Sequence, residues 1–121
     1  MPSIQRRTHL TLLASMAASA LMPSAFAQDS TLRIVVGYPP GGSSDRMARI
    51  VAEKLQTRLG SPVIVENRPG AGGRLAAQQI RAGTLGQNVL MVANPAVMVV
   101  APQVFKDNGY DAEKDFVPVS H

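Results

Sequence analysis

Apolar positions along the chain fall into short blocks divided by glycine and proline. Residues 31–37 (TLRIVVG) form a β-branched run that predicts a strand, and Tyr38, Pro39, Pro40, Gly41 and Gly42 break it. Met47, Ile50, Val51, Leu55 and Leu59 then recur at helical spacing, predicting a helix with that stripe against the core. Ser43 or Ser44 is placed to cap its start, and Asp45 adds negative charge to the first turn. Arg46, Arg49, Glu53, Lys54 and Arg58 fall largely on the solvent side, while Gly60 and Pro62 end the helix.

Residues 63–66 (VIVE) suit a short, buried parallel strand. A second glycine-rich turn follows through Asn67, Arg68, Pro69, Gly70, Ala71, Gly72 and Gly73. Residues 74–82 read as a short helix with Leu75, Ala76, Gln79 and Ile80 near one face, and residues 89–93 as a third strand. Asn94 and Pro95 open another helical stretch running to about Phe105, whose second half Pro102 should disturb. Residues 107–111 are a loop, and residues 116–120 read as extended. The alternating order β-α-β-α-β-α-β argues for an α/β fold, an open, mostly parallel sheet with flanking helices joined by right-handed crossovers. An apolar strand at the end, with no helix after it, predicts that the chain is a piece of a larger fold.

Residues 1–27 carry a different pattern. Arg6 and Arg7 precede a mostly apolar stretch over residues 10–22, Pro23 breaks it, and Ala25, Phe26 and Ala27 offer a small-x-small cleavage site before Gln28. The stretch is too short and too rich in alanine and serine to fill a hydrocarbon core of about 30 Å. A cleaved export signal is therefore expected, followed by an incomplete domain over residues 28–121 in the periplasm. Arg6, Arg7, Thr8, His9 and Leu10 leave the general secretory and twin-arginine routes both open.

Removing that signal changes the charge. The whole chain is formally +4, but Arg6 and Arg7 leave with the signal, so 10 basic residues face 8 acidic ones. No basic run remains and aromatic residues are few, which argues against nucleic-acid binding. The absence of cysteine excludes disulfides, thiol catalysis and cysteine-ligated metal.

The two glycine-rich turns each follow a strand and precede a helix, so both belong at the carboxyl ends of the strands, where open α/β sheets bind ligands. Glycine exposes backbone amides, and a helix start adds unsatisfied donors and partial positive charge; together they suit a carboxylate. Nucleotide motifs do not fit. Gly41, Gly42, Ser43 and Ser44 lack the spaced glycine-lysine pattern, and Leu75 stands where G-x-G-x-x-G needs its third glycine. The two histidines are His9 and His121, so a nucleophilic Ser43 or Ser44 has no base. Asp45 and Glu66 are better read as a helix-start charge and a strand end than as an acid–base pair. Arg68 is open to either of two roles, anion binding or a solvated loop position.

The motifs resemble a known family. Residues 35–45 (VVGYPPGGSSD) with Ala48 and Arg49, residues 63–73 (VIVENRPGAGG), Asn94-Pro95-Ala96 and residues 115–120 (DFVPVS) are similar, in order, to landmarks of Bug-type receptors. These are the TctC-like substrate-binding proteins of tripartite tricarboxylate transporters. The resemblance implies a non-enzymatic, two-lobed Venus-flytrap receptor that closes on a small carboxylate for uptake or sensing. This chain would supply part of the first lobe. The ligand contacts it implies are Tyr38, Pro40, Gly41, Gly42, Ser43, Ser44, Asp45, Asn67, Gly70, Ala71, Gly72, Gly73 and Asn94, with Asp45 orienting its loop rather than touching the ligand. Leu85, Gly86, Gln87 and Asn88 depart from the family's usual Asp-Gly-Tyr-Thr-like turn, and Arg74, Leu75 and Ala76 from its small helix start. No cofactor or metal is implied. A membrane transporter is the implied partner, and the full-length protein would be a monomer. A truncated, inactive remnant of such a receptor is the alternative reading, and an exported α/β hydrolase a weaker one.

Overall fold

The computed structural model describes residues 31–119. The expected signal and its cleavage site, together with Ser120 and His121, lie outside these residues.

Three parallel strands form the sheet: β1 (Leu32–Val36), β2 (Val63–Asn67) and β3 (Val89–Val92), in the order β2-β1-β3. β1 lies in the middle, and its Ile34, Val35 and Val36 are almost wholly buried, as a β-branched run covered on both faces should be. Burying each such side chain contributes roughly 1.5–3 kcal/mol. Alternation along β1 divides the core. Ile34 and Val36 pack on α1 (Ser43–Leu59), while Val35 packs on α2 (Arg74–Arg81) with Ala76 and Leu85.

The side of α1 that meets the sheet is not the expected one. Ala48 and Ala52 are buried, with Leu55 half-buried beside them, whereas Met47, Ile50, Val51 and Leu59 are exposed. Asp45, Ala48, Ala52 and Leu55 form a helical stripe in their own right, and small residues let the helix approach the sheet closely. Nor does a serine cap the helix: Gly42 occupies the cap position, and no side chain bonds there. The end is as expected, with Gly60 in the left-handed region and its amide donating to the Gln56 carbonyl.

After β3, residues 96–104 make a further helical segment, α3, wound as a π-helix over Ala96–Val100 and as an α-helix over Ala101–Val104. The disturbance expected from Pro102 takes the form of this change of winding rather than a break. Pro102 brings no amide to the carbonyls one turn back, and the Tyr110 hydroxyl donates to the Val97 carbonyl instead. Tyr110 is itself buried against Ala77 and Val97, edge-on to Phe116 at 6.0 Å. The loop carrying it is strapped to α2, where Gln78 donates to the Asn108 carbonyl and Arg81 to the Gly109 carbonyl.

Residues 116–119 join no strand. Val117 and Val119 are exposed, and the intervening Pro118 has no amide to offer a ladder, so the fourth strand is not formed among the described residues.

Candidate functional site

The parallel register aligns Val36 with Asn67 on one side and Val92 on the other, so all three strands end at the same edge. The loops that leave them converge there. With β1 in the middle, β1 leads into α1 on one face of the sheet and β2 into α2 on the other, and the carboxyl ends of the strands are the usual ligand position in an open α/β sheet.

The first and second loops meet backbone to backbone. A Cβ on Gly37 would come within 2.8 Å of the Gly73 Cα, so neither chain segment could approach the other with a side chain between them. Gly73 is also enclosed by Val97 and the Tyr38 ring, and its φ of 93° continues a left-handed run from Ala71 (48°) and Gly72 (67°). For alanine that conformation costs about 1–3 kcal/mol, a strain characteristic of functional loops.

Polar side chains fasten the loops from below. The Asp45 carboxylate, 3% exposed, accepts from the Gly41 amide at 2.9 Å, from Arg49 through two bonds of 3.0 Å, and from Asn67 Nδ2 at 2.9 Å. Arg49, the Gly41 amide and Asn67, in that order of effect, hold its pKa well below the usual carboxylate range. Asn67 Nδ2 donates also to the Tyr38 carbonyl at 3.1 Å. A second set lies at the mouth, where the Tyr38 hydroxyl donates to the Gly72 carbonyl at 3.0 Å and accepts from Asn94 Nδ2 at 2.8 Å.

The thirteen expected contact residues therefore share one edge of the sheet, but in two groups. Pro40, Gly41, Gly42, Ser43, Ala71 and Gly72 are exposed there, with Ser44 and Gly70 half-buried. Tyr38, Asp45, Asn67 and Asn94 have side chains engaged with one another or with the loop backbone, and Gly73 is buried under them. The first amide of α1 to bond within the helix is that of Arg46, to the Gly42 carbonyl, which leaves the preceding amides of Ser43, Ser44 and Asp45 as the helix-start donors. The edge can thus offer backbone donors in a positive helix-start field, with the nearby acidic charge already neutralised by Arg49.

Sequence reading missed Gly37 and Arg49 as parts of this site. The four-residue step from Asp45 to Arg49 was the available signal for the latter. Arg68 pairs with Glu66 at 2.9 Å with its side chain still 40% exposed, and Glu66 also meets Arg33. Among the described residues, no group of three or more His, Cys, Asp or Glu could hold a metal ion, and no helix is long and apolar enough to cross a membrane.

Comparison with known proteins agrees with this fold. Residues 47–121 match the family model described as tripartite tricarboxylate transporter family receptor. A UPF0065 protein of Bordetella bronchiseptica is 39% identical across 98% of this chain and 39% of its own length. The solved structure of MatC from Rhodopseudomonas palustris with bound malate is 34% identical, with a TM-score of 0.68, over 74% of this chain and 30% of that one. The periplasmic binding protein BugD is 30% identical, with a TM-score of 0.63, over 74% of this chain and 29% of that one. The chain spans about a third of the length of the curated relatives it matches. Its parallel sheet and flanking helices are accordingly part of a lobe of the periplasmic-binding-protein fold.

Proposed function

The chain belongs to the tripartite tricarboxylate transporter receptor family, a family of binding receptors rather than enzymes, and from that premise we propose that it forms one wall of a periplasmic carboxylate-binding site. The observation that carries the reading is the meeting of two glycine-rich strand–helix loops at one sheet edge, joined backbone to backbone at Gly37 and Gly73. The exposed backbone of Gly42 and Ser43 and of Ala71 and Gly72 receives the ligand's carboxylate, the Gly41 amide being held by Asp45. A small dicarboxylate of the malate type is the ligand class, in keeping with the malate held by the related MatC structure. Asp45 carries no direct contact; its work is to hold Gly41, Arg49 and Asn67 in place.

In this reading residues 1–27 direct export and are removed after Ala27, and the complete receptor works as a monomer that delivers its ligand to a membrane transporter of the tripartite tricarboxylate type. Calorimetric titration with malate and with its uncharged diamide tests the ligand class. Heat of binding with malate and none with the diamide is the expected outcome. Equal binding of both, or of neither, sinks the proposal. Mass spectrometry of protein recovered from the periplasm should show Gln28 at the N-terminus.

A further inference from the structure

We infer that Asn94, Tyr38 and Gly72 form a one-way hydrogen-bond chain that sets the position of the second glycine loop, making Tyr38 a positioning residue rather than a ligand contact. The inference deepens the carboxylate-site reading above and rests on it for its functional meaning.

The direction of the chain follows from donor and acceptor chemistry. The Val97 amide can only donate, and it is shared between the Asn94 carbonyl at 3.1 Å and Asn94 Oδ1 at 3.2 Å, where an Nδ2 donor could not stand. That fixes the amide's orientation and turns Asn94 Nδ2, a donor, toward the Tyr38 oxygen at 2.8 Å. The phenol must then accept from Asn94 and send its single proton elsewhere. It goes to the Gly72 carbonyl at 3.0 Å. Gly72 lies in the middle of the left-handed run from Ala71 to Gly73, the conformation that needs holding. Asn94 thus does two things at once: it accepts from the Val97 amide in the first turn of α3 and orients a tyrosine 56 residues away in sequence.

The same geometry leaves the Tyr38 hydroxyl without a proton for a ligand. Its carbonyl is likewise engaged, by Asn67 Nδ2 at 3.1 Å. The residue joins all three loops, and its ring closes over Gly73, where an added Cβ would lie 3.3 Å from the hydroxyl oxygen. What faces the ligand is the backbone that this residue holds in place.

Two variants separate direction from mere packing. Tyr38→Phe keeps the ring and removes the hydroxyl. Asn94→Asp keeps an oxygen for the Val97 amide but replaces the donor with a charged acceptor, which draws the phenol's proton away from Gly72. Amide hydrogen exchange, followed by NMR on the unliganded chain, reads the consequence at Gly73, whose amide donates to the Gly70 carbonyl, and at Arg74, whose amide donates to Ala71. Both variants should exchange about five-fold faster at these amides, the factor that one neutral hydrogen bond supports. The amides of Ile34 and Val35 should stay at the unaltered rate. Unchanged exchange at Gly73 and Arg74, acceleration in Tyr38→Phe alone, or an equal rise throughout β1 would each overturn the inference. Malate titration of the same three proteins keeps the two ideas distinct. Weaker binding in both variants is expected, whereas failure of the unaltered chain to bind malate removes the carboxylate reading and leaves the exchange result standing.

Discussion

The loop edge of the sheet and the outer face of α1 are built on opposite terms. At the edge, polar side chains are buried and meet one another: Asp45 is 3% exposed, yet its carboxylate has three different partners. On the outer face of α1, Met47 and Ile50 are 58% and 62% exposed and contribute little to the described core. Large apolar residues at helical spacing therefore do not by themselves identify the buried side of a helix. The side that packs is marked by Ala48 and Ala52, whose small size allows close approach, and by the charged residue that the loops require.

If that contrast holds, substitutions should rank by what they do to the loop junction rather than by how hydrophobic the lost side chain is. Gly37→Ala should have the largest effect, since its Cβ would lie 2.8 Å from backbone that cannot swing away. Destabilisation of roughly 3 kcal/mol in urea unfolding is expected. Tyr110→Phe comes next. It strips the donor from the Val97 carbonyl in a buried setting, and a loss of about 2 kcal/mol should be seen in the same measurement.

Acid sensitivity gives a third test, set by Asp45. Its folded pKa is depressed below the ordinary 3.8 through Arg49, Gly41 and Asn67, so it contributes stability at pH values above the unfolded carboxyl's range. That contribution is lost as pH falls through the folded value. Thermal melts from pH 6 downward should show a steeper acid limb for the unaltered chain than for Asp45→Asn, and coincident limbs would remove Asp45 from its central place. The smallest effect is expected from Met47→Lys on the outer face of α1, within about 0.5 kcal/mol of the unaltered chain. A large loss there would erase the contrast between the two regions.

The sheet and the two glycine loops were legible in sequence because each depends on local chemistry: β-branched runs, turn residues and a left-handed terminator at Gly60. Three features were not. The packing side of α1 was misread because the stripe counted large residues and passed over alanine. Residues 116–119 have the composition of a strand, but pairing is a property of neighbours, and these residues have none in the sheet. The link from Asn94 through Tyr38 to Gly72 joins residues far apart in the chain, and no spacing rule reports it. The glycine positions pointed to the edge of the sheet where the loops meet, while the division between backbone facing solvent and side chains holding it became visible only in three dimensions.

The most direct measurement is the change in backbone amide chemical shifts when malate is added to the isotope-labelled chain. Shifts concentrated at Gly41, Gly42, Ser43, Ala71 and Gly72, with the amides of the outer face of α1 undisturbed, are what a backbone carboxylate site at the loop edge predicts. Shifts absent from both loops, or centred on other residues, would contradict it.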